Sequence, residues 1–208
     1  MRRAWLLLGM SLLGACSKKA PSGFSDCPAL DAGAPVDPIL LAFLSRARAA
    51  HHLADDREAD GDLMASATPL ERLVAGPLPR VGSTELAPEV REVLADTFAR
   101  LADLHSRQGA FDRALEDVRQ GLSHAREPSY FKGHLLETEG LVEERHAKAL
   151  EKNGDQAGAV ALRKRAIELL ERAMDVQSGV IERAPRAPSG ASDRGTPTPE
   201  ASPAASAH

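Results

Sequence analysis

Two clusters of side chains in the first half of the chain have types and spacings that could bind a cation. His51 and His52 stand four residues before Asp55 and Asp56. Residues four apart share one face of a helix, so these form two His/Asp pairs, each half of the donor set that a divalent metal requires. Just downstream, Asp56, Glu58, Asp60 and Asp62 alternate around Gly61 and lead into Leu63. Alternating carboxylates that bend round a glycine gather oxygen ligands for a hard cation such as calcium. A loop of that kind closes with a bidentate carboxylate eleven residues after its first ligand, and Ala67 occupies that place. The plainer reading is an ion-paired helix face running into an acidic helix end. No resident metal is therefore expected, with calcium or small-ligand binding through Asp56, Glu58, Asp60 and Asp62 kept as the alternative.

Other chemistry has less to build on. There is no Gly-x-Ser-x-Gly, no phosphate-cradling glycine loop and no cysteine in the periodic region to pair with a histidine. His105, His124, His134 and His146 are scattered along helical segments without a spacing pattern. The expectation is a protein that is not an enzyme and carries no cofactor. Net charge is −4, and aromatics make up 3% of the 208 residues. A basic patch interleaved with aromatics is not visible, so a nucleic-acid partner is not expected. Abundant Ala and Leu favour helix and leave a β-sandwich without its usual core residues. The 56–62 carboxylates resemble the front half of an EF-hand loop, and that resemblance is all that supports the calcium alternative.

The N-terminus carries a different chemistry. Residues 1–15 have the layout of a secretory signal peptide, with Arg2 and Arg3 followed by an apolar run over 4–15. That run is too short to remain as a bilayer span, which needs about 20 apolar residues. Its end, Leu13-Gly14-Ala15-Cys16, resembles the lipobox of bacterial lipoproteins. The resemblance implies that the Cys16 thiol receives diacylglycerol, that a peptidase cuts before it, and that the new amino group is acylated. Several acyl chains at ~0.8 kcal/mol per buried methylene would hold such a protein on a membrane. The implied location is the bacterial cell envelope. Ser17, rather than Asp, resembles an outer-membrane sorting signal, so the outer membrane facing the periplasm is expected. Cys27 is then the remaining thiol, in a Ser/Pro/Gly-rich tether over 16–36.

Helical periodicity occupies 37–184. Asp37-Pro38 reads as an N-cap and first helical residue. Ile39, Leu40, Phe43, Ala47, Ala50, Leu53 and Ala54 make an apolar stripe that ends near Gly61. Thr68-Pro69-Leu70-Glu71 has the form of a capping box opening a short helix to about residue 75, followed by irregular chain to 87. Further helices are predicted from Pro88 to Gly109, over 112–125 and 129–153, and from Asp155 to about 184. In the last, Val160, Ile167, Met174 and Ile181 recur every seven residues with Leu170 beside them, which predicts a narrow buried seam docked on the preceding helix, with a coiled-coil contact as the less favoured alternative. Residues 185–208, almost all Pro, Ala, Ser, Thr and Gly, are expected to be disordered.

The turns repeat. Ala54, Ala102 and Ala147 each precede a glycine (Gly61, Gly109, Gly154) by seven, and Ser66, Ala114 and Ala159 follow it by five. Phe98, Leu101, Ala102, Gly109, Phe111, Ala114 and Pro128 together resemble one tetratricopeptide repeat (TPR), and the outer copies keep parts of the pattern. The glycines are 48 and 45 residues apart, longer than the about 34 of that family. The resemblance implies an all-α fold of TPR-like antiparallel helix pairs stacked as a short solenoid. It also implies a groove on the first helices that binds another envelope protein or a peptide. By pattern the groove would present His51, Asp55, Asp103, Arg107, Glu144 and Lys148. The plain alternative for each of these is a solvated helix face.

Overall fold

Asp37 starts the first helix as its sequence position suggests. Its Oδ1 accepts a hydrogen bond from the amide of Ile39 at 2.8 Å, and Pro38 takes a position where its missing N–H costs nothing. The computed structural model describes residues 37–81 and 85–183. The signal peptide, Cys16, Cys27, the tether and the 185–208 tail lie outside the described residues. Among the described residues the fold is all-α, in the order α1 (Pro38–Ala59), α2 (Leu63–Val74), α3 (Pro88–Arg107), α4 (Phe111–His124), α5 (Tyr130–Lys152) and α6 (Gln156–Arg183). In the stretch expected to be irregular, β1 (Arg80–Val81) and β2 (Glu85–Leu86) pair antiparallel, with Arg80 opposite Leu86 and Val81 opposite Glu85.

Three helices end in the same way. Gly61, Gly109 and Gly154 adopt φ of 81°, 80° and 87°, the left-handed region that an L side chain resists. At each, the glycine amide bonds back to the carbonyl three residues earlier, and the next amide to the carbonyl five residues before it. This is the Schellman arrangement, which satisfies carbonyls that a helix end would otherwise leave open. Asp62 and Asp155, directly after two of these glycines, then cap the following helices. Each Oδ1 accepts from an amide three residues on, both at 2.9 Å. Ala110 holds the equivalent place in the middle turn and makes no side-chain cap.

The turns fold α2 back on α1, α4 on α3 and α6 on α5, and these three pairings are the most extensive. Between pairs, α3 touches α1, α2 and α5, and α4 touches α5. The small residues flanking each turn sit where paired helices meet: Ala54, Ala102, Ala147, Ser66, Ala114 and Ala159 are all fully buried. One apolar cluster, with Phe43, Leu70, Leu73, Val90, Leu94 and Leu101, joins α1, α2 and α3. Each such side chain removed from water stabilises the fold by roughly 1.5–3 kcal/mol before the entropy of ordering is counted. Smaller clusters carry the packing on through Val118, Leu135, Val142 and Leu169.

Two sequence expectations need correction. The second helix begins at Leu63 rather than Thr68, so Pro69 lies in its interior. The Asp62 cap starts it early, and burial of Ser66, Ala67, Leu70 and Leu73 along one face offsets the hydrogen bond that proline cannot donate. The seven-residue row on α6 is not buried. Val160, Ile167, Met174 and Ile181 are 63%, 58%, 66% and 74% exposed, and α6 docks instead through Ala159, Ala166, Leu169 and Ala173. A mostly alanine face lets two helix backbones approach more closely than a row of Ile, Val and Met would, so the alanine face becomes the seam.

Candidate functional site: a charged row across three helices

Of the six residues assigned to a groove, three are brought together, with partners that pattern alone did not indicate. Arg100, on α3 one turn before Asp103, donates to Asp55 of α1 at 3.2 Å and also pairs with Glu58. Glu58 pairs in turn with Arg107, which lies 3.4 Å from Asp103. Asp103 meets Arg145 of α5 at 2.8 Å, and a second Arg145 nitrogen donates to Ser106 Oγ at 2.7 Å. A continuous row of ion pairs thus runs from α1 over α3 to α5. Apart from the more exposed Asp55, its side chains are 22–34% exposed, which partly shields them from solvent screening. A hydrogen bond from Arg107, assisted by the charge of Arg100, holds the Glu58 carboxyl below the usual carboxylate range against the opposing effect of burial.

The other three assigned residues stand apart from this row. His51 Nε2 lies 3.1 Å from Thr97 Oγ1, whose own proton goes to the Val93 carbonyl at 2.7 Å. The hydroxyl is then free only to accept, which assigns the proton to Nε2 of His51. Glu144 and Lys148 pair with each other, four residues apart at 2.6 Å. That contact also lowers the Glu144 carboxyl. Arg100 and Arg145 were missed, and Glu58 had been considered only as a cation ligand. The signal that could have found them was charge alternation at three- and four-residue spacing on α3, read against the end of α1.

The acidic stretch at 56–62 is spoken for in part. Glu58 belongs to the charged row, Asp62 caps α2, and Asp60 is the C-terminal cap residue of α1. Among the described residues, no group of three or more His, Cys, Asp and Glu is placed to hold a metal ion.

Two buried polar groups complete the inventory. His105 of α3 is almost wholly buried, with Nδ1 2.5 Å from Asp117 of α4 and Nε2 3.4 Å from Glu71 of α2, too poorly aligned for a hydrogen bond. Glu71 is itself held by Arg113, so one imidazole lies where three helices meet. Glu143, on α5, is 1% exposed. Arg165 Nε lies 3.1 Å from its Oε1, yet neither carboxylate oxygen has a hydrogen-bond partner among the described residues. Burial pushes this carboxyl above its ordinary value.

Two open clefts are lined by residues outside the charged row. One of about 370 Å³ includes Pro88, Arg91, His124, Arg126 and Phe131, and another of about 380 Å³ lies between the Gly109 turn and His146. His124 stacks on Phe98 at 5.9 Å between ring centres, and burial keeps its imidazole below the ordinary value. No helix among the described residues is long and apolar enough to cross a membrane. No protein-family model, curated protein or solved structure matches the chain.

Proposed function

We propose that the protein is a lipid-anchored component of the bacterial cell envelope. In this reading its helix pairs, stacked as a short TPR-like solenoid, hold another envelope protein or a peptide as a scaffold, adaptor or assembly factor. The observation that carries the binding surface is the charged row, which lies on α1, α3 and α5, the first helix of each pair. The three matching glycine turns and their fully buried small residues support the repeat. The lipobox-like Leu13-Gly14-Ala15-Cys16 supports the anchor.

The row contains three carboxylates (Asp55, Glu58, Asp103) and three guanidinium groups (Arg100, Arg107, Arg145), each already engaged. A strongly charged ligand gains little from such a balanced surface, because any new pair must displace an existing one. A partner with both signs of charge can exchange pairs one for one, which gives specificity more than raw affinity. Binding rather than catalysis also accounts for His105 and Asp117. His105 is almost wholly buried and Asp117 largely so, and their contact ties α3 to α4. Crosslinking and pull-down from native membranes tests the reading. The wild-type chain should capture a specific protein that an Arg100→Ala, Asp103→Ala, Arg145→Ala variant loses. Equal capture by that variant, with its helix content intact, refutes this surface.

A further inference from the structure

An open cleft of about 260 Å³ lies between α1 and α2, lined by Leu53 and Arg57 of α1 and by Ala65, Thr68, Pro69 and Arg72 of α2. Leu53 is 52% exposed. The lining holds two arginines and no carboxylate, in a chain whose net charge is −4. Neither guanidinium has an ion-pair or hydrogen-bond partner among the described residues, whereas every guanidinium of the charged row is engaged. Asp56 and Asp60 stand near Arg57 on α1, outside the lining, and neither pairs with it. At 3.6 residues per turn, Asp55 points about 160° away from Leu53, so this cleft and the charged row occupy different sides of α1. A second cleft, running from Ile39 to Arg46 and bounded by Pro77 and Leu78, is also free of carboxylates. It follows the same side of α1, because Ile39, Arg46 and Leu53 are spaced by seven.

We propose that the groove between α1 and α2 docks an acidic amphipathic helix of another protein, which sets an apolar side chain against Leu53 and Pro69 and a carboxylate on each of Arg57 and Arg72. This surface is separate from the charged row and does not rest on it. Charge complementarity selects the occupant: two guanidinium groups with nothing to give up gain in full from incoming carboxylates. Their spacing selects its form. Arg57 and Ala65 each stand four residues from Gly61, so the turn sets them level, and Arg72 lies seven residues beyond Ala65. The two cations are thus offset by roughly 10 Å along the groove at 1.5 Å per residue. Carboxylates seven residues apart on a partner helix share one face at that offset, and the residue three or four after the first falls between them. Docking of this kind, a helix laid in a groove, uses anchors at that spacing. A lipid fits less well, because one anionic head group reaches only one of two cations so far apart.

Fluorescence anisotropy of a labelled, alanine-rich helical peptide of about 18 residues tests the groove on the full-length chain. The peptide carries two glutamates seven residues apart with leucines at the third and fourth places after the first. It should bind with a Kd on the order of 100 μM, and a version with lysines for the glutamates should bind about tenfold more weakly or worse. An Arg57→Glu, Arg72→Glu variant should reverse that preference, with unchanged helical circular dichroism because both side chains are exposed. The Arg100→Ala, Asp103→Ala, Arg145→Ala variant should bind the glutamate peptide as wild type does, which separates failure of this groove from failure of the charged row. No binding at about 1 mM peptide overturns the proposal, as does equal binding of the two peptides. So does an Arg57→Glu, Arg72→Glu chain that keeps the wild-type preference, or loss of the peptide in the charged-row variant. Flotation with phosphatidylglycerol vesicles that the Arg57→Glu, Arg72→Glu change abolishes would overturn the peptide and assign the groove to anionic lipid. A dimer in sedimentation velocity that the same change abolishes would assign it to a second copy of the chain.

Discussion

At the scale of single residues, the buried polar groups make the sharpest expectations. Asp117 accepts from a histidine with almost no access to water, so Asp117→Ala leaves the His105 Nδ1 donor without a partner. The expected cost is about 1–3 kcal/mol, measured by urea unfolding. Glu143 has a pH signature of the opposite kind. Its folded pKa lies above the unfolded value of 4.5, so below that value both states are neutral and no penalty exists. As pH rises through the folded pKa, the folded state must carry a buried charge with no hydrogen bond, and stability falls. Glu143→Gln should therefore melt higher than wild type near pH 7 and alike at about pH 4. Glu58 runs the other way, with a folded pKa depressed chiefly by Arg107. Its contribution is present above 4.5 and disappears as pH falls through the folded value, and Arg107→Ala should blunt that acid sensitivity.

Individual elements show where a local rule is met or missed. The middle turn has the glycine of the other two but lacks their capping aspartate, and Ala110 has nearly the backbone angles of Asp62 (φ −86° and −91°). Ala110→Asp should supply the missing acceptor to the first turn of α4 and raise stability by about 1 kcal/mol, read as a higher melting temperature. Gly121 is a contrary case, in the interior of α4, where glycine weakens a helix. A Cβ there would lie 2.5 Å from Leu135 Cδ2 and 3.1 Å from Phe98 Cβ. Leu135 is fully buried and has nowhere to go, so Gly121→Ala should destabilise by about 1–3 kcal/mol despite its better helix propensity.

For the whole molecule, the expectation that matters most concerns the anchor. Replacing Cys16 with Ala should move the protein from the membrane pellet to the soluble fraction, and retention in the pellet would refute lipid anchoring through that thiol. The helices and the three-fold recurrence of the turns were legible in the chain because each rests on neighbours within about five residues: a cap, a glycine, a proline. The charged row was only half legible. Asp55, Asp103 and Arg107 were reached through the resemblance to a TPR groove, whereas Glu58 was weighed only as an alternative cation ligand and Arg100 and Arg145 were not singled out. Their pairing spans 42 residues for Glu58–Arg100 and 45 for Asp55–Arg100, distances over which sequence spacing carries no geometry.

By itself the sequence determined that the described chain is helical, where most of its helices stop, and that three glycines would turn it. These outcomes are set by hydrogen bonds to nearby backbone and by the steric freedom of a missing Cβ. Tertiary structure alone decided which face of α6 became a core. Apolar periodicity marks Val160, Ile167, Met174 and Ile181, but dense packing rewards the closest approach of two backbones, and the alanines beside that row allow it. The row read as a seam inside the molecule thus stands exposed on its surface.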